Sequence, residues 1–417
     1  MVHLSYLLAK LREGREVLNK LQVYKSVAAR PLTATQMLWN HRRTLKYLWK
    51  RDRRSFWSHV FTTYFVRGED CGKGVLDPLW KLTGRAPFLW DLELETTTAC
   101  YLKCVHCEHT YWKDKSYLNQ HLTPETLKSV IDSIPNLRWM NLTGEGTSVL
   151  NPQFMSLVRE VKRRGIYLDF SHDFVKLDKD HARQWVEFGV DRVYWSIDGV
   201  SEGTYEKIRV GARFKDVLAN VKRLIAIKKE LKSPLPEICF RYTFFRSNFE
   251  ELPLLPSFLR TLVENVKDYG DEPSINIVAL LEFEETKDWA VEVPQGYIDC
   301  VDSESELYGF KNYWSHVTHV ESEKAPMDYC TFWSEPYIMI TGHVVPCCAV
   351  LMSNKREELE RLSFGNIHEL SLREIWNTKH YKRFRKMVVN PRARVPTVCV
   401  GCRAFNTETR REKYGHG

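Results

Sequence analysis

Cys100, Cys104 and Cys107 are the densest group of reactive side chains in the chain. They follow an apolar run at residues 88–96 that reads as a strand, so the thiols fall on the loop at its end. Three thiolates this close can wrap one inorganic cluster. They leave a fourth coordination position without a protein ligand, and an open position is where chemistry happens. Zinc is the competing occupant, with His106 or His109 as a further ligand. Zinc usually takes paired Cys-x2-Cys units, and no partner pair lies nearby. A second set, Cys330, Cys347, Cys399 and Cys402, comes late in the chain. Four thiolates close a coordination sphere, for zinc or for an iron–sulfur cluster.

The elements that must position these groups follow from the pattern. At 417 residues, with 43% apolar and 27% charged residues, the chain is long enough for two or three domains with sizeable cores. Residues 1–85 read as a basic helical extension. From Lys10 to Arg54 thirteen Lys and Arg residues face only Glu13, Glu16 and Asp52, and Trp39, Trp49 and Trp57 lie among them. Leu38, Leu45 and Leu48 predict the inward face of one helix, and Phe56, Val60, Phe61, Tyr64 and Phe65 mark the next. Such a surface would suit anionic lipid or nucleic acid, or it is a solvated face on a helical cap. Residues 86–285 alternate strands and helices, which predicts an α/β core with a parallel sheet curved as a partial barrel. Chemistry then collects at the C-terminal ends of the strands. Residues 286–325, acidic and weakly periodic, read as a linker or substrate-facing insertion. Residues 326–417 read as a small α+β domain, with a hairpin at 337–345 turning at Gly342. No run reaches the roughly 18 apolar residues of a membrane span, and no signal design opens the chain. A cytoplasmic protein is expected, so its eleven cysteines read as ligands or free thiols rather than disulfides. Cys71, Cys239 and Cys300 stand alone and read as inert, with Cys300 the best placed to act on a substrate.

The first cysteine set resembles the radical SAM (S-adenosylmethionine) superfamily. The resemblance implies a partial (β/α)6 TIM-like barrel and a 4Fe–4S cluster held by Cys100, Cys104 and Cys107, whose open iron binds S-adenosylmethionine. Thr143, Gly144, Glu145 and Gly146 at a strand end resemble that family's glycine-rich turn, although Thr143 and Gly146 depart from its usual residues. By resemblance Glu145 would accept the ammonium group of methionine. Ser196, Asp198 and Gly199, followed by Arg209, resemble the pattern of the subgroup with SPASM or twitch extensions. There Ser196 and Arg209 would face the ribose or methionine carboxylate, Asp198 would line the site, and Ser171 would meet the ribose. Asn248 closes the next strand's loop. Cys330, Gly342, Cys347, residues 364–377, Cys399 and Cys402 resemble the auxiliary module. With no cysteine after Cys402, one auxiliary 4Fe–4S cluster is expected, and Cys348 is a spare thiol.

The resemblance implies a radical SAM oxidoreductase. It would cleave S-adenosylmethionine reductively, abstract hydrogen through a 5′-deoxyadenosyl radical, and complete a two-electron oxidation or bond formation. The substrate would be a peptide, a small molecule or a lipid. A one-electron donor such as flavodoxin or ferredoxin would be a partner, and the basic N-terminal helices would contact a membrane peripherally. The rival reading is a non-catalytic zinc or iron–sulfur scaffold that binds nucleic acid or a membrane through those helices.

Overall fold

Strands and helices alternate from residue 91, as the periodicity predicts. The computed structural model describes residues 35–36, 38–63, 89–280, 283–286, 288–315, 335–352, 355–389 and 397–399. Two helices come first, α1 (Arg42–Arg51) and α2 (Arg53–Phe61). The core then runs β1 (Asp91–Glu95), β2 (Lys103–Cys104), α3 (Pro124–Asp132), β3 (Trp139–Thr143), α4 (Phe154–Arg163), β4 (Tyr167–His172), α5 (Lys179–Phe188) and β5 (Arg192–Ser196). It continues with α6 (Glu202–Ile208), β6 (Arg209–Val210), α7 (Phe214–Glu230), β7 (Glu237–Phe244), α8 (Leu255–Thr261) and β8 (Ser274–Ala279). After it come α9 (Gln295–Tyr308), β9 (Lys311–Ser315), β10 (Tyr337–Ile338), β11 (Val344–Val345), α10 (Arg356–Leu362), α11 (Leu372–Asn377) and α12 (Lys379–Val389).

Among the described residues the main sheet orders its strands β11-β10-β1-β3-β4-β5-β7-β8-β9. Every neighbouring pair is parallel except β10 with β11. The two faces of this partial barrel differ. Leu92, Leu94, Met140, Leu142, Leu168, Phe170, Val193, Trp195, Ile238, Phe240, Ile275 and Ile277 point outward and are buried. The helices cover them; α4 contributes Phe154, Leu157, Val158 and Val161, each at most 2% exposed. Burial of this kind stabilises by about 1.5–3 kcal/mol per side chain. The alternate residues include polar Glu93, Glu95, Asn141, Asp169, Ser171, Ser196 and Arg241, set among buried Trp139, Tyr167, Tyr194 and Cys239. A parallel sheet covered by helices normally reads as continuously apolar. Alternation here means that the inner face lines a polar interior rather than a packed core.

Local signals set the helix ends. Thr123 caps α3 through its hydroxyl, which accepts from Thr126 N at 3.2 Å, and Pro124 occupies the first turn. Asp178 caps α5, and Gly189 ends it at φ 73°.

Two expectations are corrected. Residues 286–315 are not a linker: α9 and β9 continue the alternation, and β9 pairs with β8 through Ser274↔Lys311 to Val278↔Ser315. The pattern was thin because few α9 positions are inward (Ile298, Val301 and Ser305), while Leu307 is exposed. The inward faces of the N-terminal helices also differ. Leu38 is exposed, Leu45 and Phe56 are half-buried, and the buried side of α2 is Ser55, Ser58 and His59. The reason is where these helices sit: on the rim where the strands begin, which carries Asp191, Asp271 and Glu272. Arg43 Nε donates to Asp271 at 2.7 Å, Thr44 N to the same carboxylate at 2.8 Å, and His41 lies 3.4 Å from Glu272. The helices expected in residues 1–34 and at Tyr64 and Phe65 lie outside the described residues.

Asp191 is fully buried at this rim. It pairs with Lys162 of α4, accepts Leu168 N at 2.9 Å, and lies 3.5 Å from His59. Removing one partner of a buried ion pair strands the other charge. Lys162→Met should therefore destabilise the protein by about 3–5 kcal/mol, read as a loss in chemical denaturation. An unchanged midpoint would contradict the buried pairing.

Candidate functional site

The cysteine loop is held before any metal is considered. After β1, residues 96–99 are buried and pinned on both sides: Thr98 N donates to Gln120 O, Leu122 N to Thr96 O, and Thr147 N to Ala99 O. Cys104 lies on β2, which pairs antiparallel with β6 so that Cys104 opposes Arg209. A turn from Cys107 N to Cys104 O (3.2 Å) folds the third thiol back. Cys100 Sγ is 3.5 Å from Thr147 Oγ1, which donates to Asp173 Oδ2 at 3.0 Å; Tyr101 OH donates to the same carboxylate. Burial pushes the Cys104 thiol up to about 12 and raises Cys107 well above the usual thiol range. The charge of Cys100 adds to the rise at both, and that of Cys104 to the rise at Cys107. A group that brings its own positive charge would reverse both effects and hold them as thiolates. The donor set thus fits an iron–sulfur cluster.

It fits a single ion poorly. Among the described residues no three His, Cys, Asp or Glu side chains converge on one metal position. The two histidines expected for zinc are engaged elsewhere: His109 with Thr98 O at 2.8 Å, His106 facing Asp198 at 3.5 Å.

The turn at Gly144, Glu145 and Gly146 follows β3. Its glycines serve a close approach within the chain. A Cβ on Gly146 would come 2.4 Å from Thr97 O and 2.6 Å from Ala99 O, and one on Gly144, where φ is 148°, 2.7 Å from Glu95 Cγ. The turn therefore lies against the segment that launches the cysteine loop. Glu145 points inward with a 4% exposed side chain. Its Oε2 accepts from Arg356 Nε at 3.1 Å and from Nη2, while its Oε1 is buried with no partner. Arg356 comes from α10, 211 residues away, and also grips Glu95 with both Nη atoms. Its guanidinium lies 4.3 Å over the Trp112 ring. Burial pushes Glu145 up to about 7 against the pull of Arg356. Burial and the adjacent Glu145 carboxylate push Glu108 up to about 9. Sequence reasoning missed Arg356 and Glu95. Their one signal is a charge on a buried face: Arg356 is inward with Leu359, and Glu95 ends a strand that is buried throughout.

Ser171 and Ser196 lie at the C-terminal ends of β4 and β5, half-exposed toward the interior. Arg241 of β7 pairs in register with Ser196 and donates to Ser171 Oγ at 3.4 Å. Asp198 does not line an open site. It is fully buried, pairs with Arg209 Nη2 at 2.5 Å, and accepts Thr243 N at 3.0 Å. Asn248 Nδ2 donates to its carbonyl at 2.9 Å. The position after β5 is thus a latch that holds Arg209, and through β6 the cysteine loop. Arg209 Nε is buried and without a hydrogen-bond partner, so one of its donors remains unused.

In the C-terminal region β10 pairs directly with β1, Glu93↔Tyr337 and Leu94↔Ile338. The predicted hairpin turns at Gly342, φ 87°, where a Cβ would meet Asn366 Oδ1 at 2.6 Å. Cys347 and Cys399 are buried. Cys348 is half-buried against Glu93, and burial raises its pKa. Cys239 is buried in β7, and Cys300 half-buried on α9. Cys71, Cys330 and Cys402 lie outside the described residues.

Two family models match: the radical SAM superfamily over residues 94–252 and the iron–sulfur cluster-binding SPASM domain over residues 330–403. The chain is 28% identical over 309 residues to the tungsten-containing aldehyde ferredoxin oxidoreductase cofactor-modifying protein of Pyrococcus furiosus, covering 72% of this chain and 84% of that one. It is 23% identical over 327 residues to the PqqA peptide cyclase of Xanthomonas euvesicatoria, covering 76% and 81%. Streptococcus suis SuiB bound to S-adenosylmethionine shares the fold, with a TM-score of 0.55 at 12% identity over 79% of this chain and 72% of that one. The matched residues contain both cysteine sets, and the chain belongs to the radical SAM superfamily and carries a SPASM domain.

Proposed function

We propose that this radical SAM enzyme is an oxidoreductase that removes hydrogen from a polar substrate held inside the barrel. Cys100, Cys104 and Cys107 would hold one 4Fe–4S cluster, and Cys330, Cys347, Cys399 and Cys402 one auxiliary cluster. When bound, these groups and S-adenosylmethionine supply one-electron cleavage of the sulfonium, hydrogen abstraction by the 5′-deoxyadenosyl radical, and an acceptor for the substrate's second electron. The observation that carries the reading is the direct pairing of β10 with β1. The strand that launches the cysteine loop is hydrogen-bonded to the hairpin that leads to Cys347, so the loop carrying the first thiols and the segment leading to Cys347 start from neighbouring strands of one sheet.

The chain's own residues have definable tasks. Glu145 Oε1 and Arg209 Nε offer an acceptor and a donor suited to an amino-acid zwitterion, and Ser171 and Ser196 offer hydroxyls to a ribose. Arg241, Asp169 and Asn141 make the interior polar, which favours a peptide or polar cofactor over an acyl chain. The named activities of the relatives point the same way: one acts as a peptide cyclase, another modifies a cofactor. A ferredoxin or flavodoxin would deliver the electron.

A peripheral membrane contact is the second part of the proposal. Trp49 and Trp57 are 46% and 61% exposed and bracket Phe56 in edge-on contacts at 5.0 and 5.1 Å. Arg53 lies 4.5 Å over the Trp49 ring. Exposed tryptophans among Lys and Arg suit an anionic lipid headgroup layer. Among the described residues no helix is long and apolar enough to cross a membrane.

Anaerobically reconstituted protein should carry about eight irons with matching sulfide; zinc in their place would overturn the assignment. Cys104→Ala should abolish reductive cleavage of S-adenosylmethionine to 5′-deoxyadenosine. Cys399→Ala should keep uncoupled cleavage and lose substrate turnover, and equal loss of both would contradict an acceptor role for the second set. The full chain should co-sediment with phosphatidylglycerol vesicles more than with phosphatidylcholine vesicles. The W49A/W57A double variant should lose that preference, and its persistence would exclude this surface.

A further inference from the structure

We propose that Arg356, contributed by the SPASM region, is the positioning residue that readies Glu145 for the ammonium group of S-adenosylmethionine. The inference rests on the reading that Glu145 binds that group. Three observations carry it. First, Glu95 fixes Arg356: the carboxylate takes Nη1 at 3.0 Å and Nη2, and Ile340 N at 2.8 Å occupies the same Oε2. Its orientation is over-determined. Second, Arg356 fixes one oxygen of Glu145, Oε2, through Nε at 3.1 Å and Nη2. The other oxygen is buried and takes no backbone, hydroxyl or cationic donor; the neighbouring Glu108 carboxyl, pushed up to about 9, is the side chain that shares a proton with Glu145. A buried carboxylate oxygen without a cation is costly, so an ammonium that displaced the Glu108 proton would meet an acceptor already oriented by Arg356. Third, Trp112 and Tyr117 cover the guanidinium at 4.3 and 5.8 Å and shield the pair from water, which strengthens it.

Geometry separates this from autoinhibition. A guanidinium standing in for the ammonium would occupy both oxygens of Glu145. Here it takes Oε2 alone and makes no bond to Oε1. Arg356 thus couples the cluster-binding region to cosubstrate binding, because α10 and Ile340 both belong to the segment after residue 335.

The test is equilibrium binding to the cluster-loaded enzyme without turnover. S-adenosylmethionine is compared with 5′-methylthioadenosine, which shares the nucleoside but lacks the amino acid. Arg356→Met should weaken S-adenosylmethionine roughly tenfold to a hundredfold, the range for a charge-assisted hydrogen bond, and leave methylthioadenosine unchanged. Arg356→Lys should recover part of the loss. In the Glu145→Gln background the effect of R356M should vanish, since the two act through one carboxylate. Equal weakening of both ligands, or an R356M effect that persists in full beside E145Q, overturns the proposal. Should R356M fail to load its clusters, Arg356→Gln carries the same comparison. If E145Q alone leaves S-adenosylmethionine affinity unchanged, the reading of Glu145 fails instead. If E145Q weakens it and R356M does not, Arg356 has no positioning role.

Discussion

The constraint on which the site depends is the close approach of two backbones. Residues 95–99 run between the strip at Gln120–Leu122 and the turn at Gly144–Gly146, with hydrogen bonds on both flanks. The contact is possible because Gly146 leaves room for the carbonyls of Thr97 and Ala99. Everything after Ala99 inherits its direction from this clamp, including the three thiols. The second anchor of the loop, Cys104 opposite Arg209, closes it against β6. A loop tied at both ends loses little further conformational freedom when it takes up a ligand.

Around that clamp the charges are unevenly matched. Glu95, Glu108, Glu145, Asp173 and Asp198 surround the loop, and Arg356 and Arg209 are the guanidiniums set among them. Acids and thiols together outnumber the cations, and burial raises Glu108, Glu145, Cys104 and Cys107. Such a neighbourhood favours ligands that carry positive charge. A sulfonium with its ammonium, and iron bound to thiolate, are both of that kind.

How much of this the sequence displayed depended on the range of the interaction. The cysteine spacing, the Thr123–Pro124 helix start and the strand alternation are local, and they were legible. The latch at Asp198 was legible as a residue but not as a role, because its partners Arg209, Thr243 and Asn248 come from three later elements. Arg356 was missed for the same reason: its partners Glu145 and Glu95 lie 211 and 261 residues away, and only its phase with Leu359 marks it among the charged residues of α10. The buried polar side of α2 ran against ordinary amphipathic reading, because its neighbours are the acidic starts of strands rather than an apolar core. The helix α9 escaped because an edge element buries too few side chains to print a period.

The pairing of β10 with β1 bears on how the molecule can be taken apart. Glu95 draws donors from Ile340 and Arg356, so the carboxylate at the heart of the barrel is neutralised by a region that sequence comparison treats as a separate module. A fragment ending with the barrel would expose the edge of β1 and leave Glu95 and Glu145 side by side without a cation. Like charges in a dry setting repel strongly. The two matched regions therefore cannot be exchanged among relatives as interchangeable cassettes. A graft would carry over the thiols yet lose the counter-charge, unless strand edge and guanidinium travelled together.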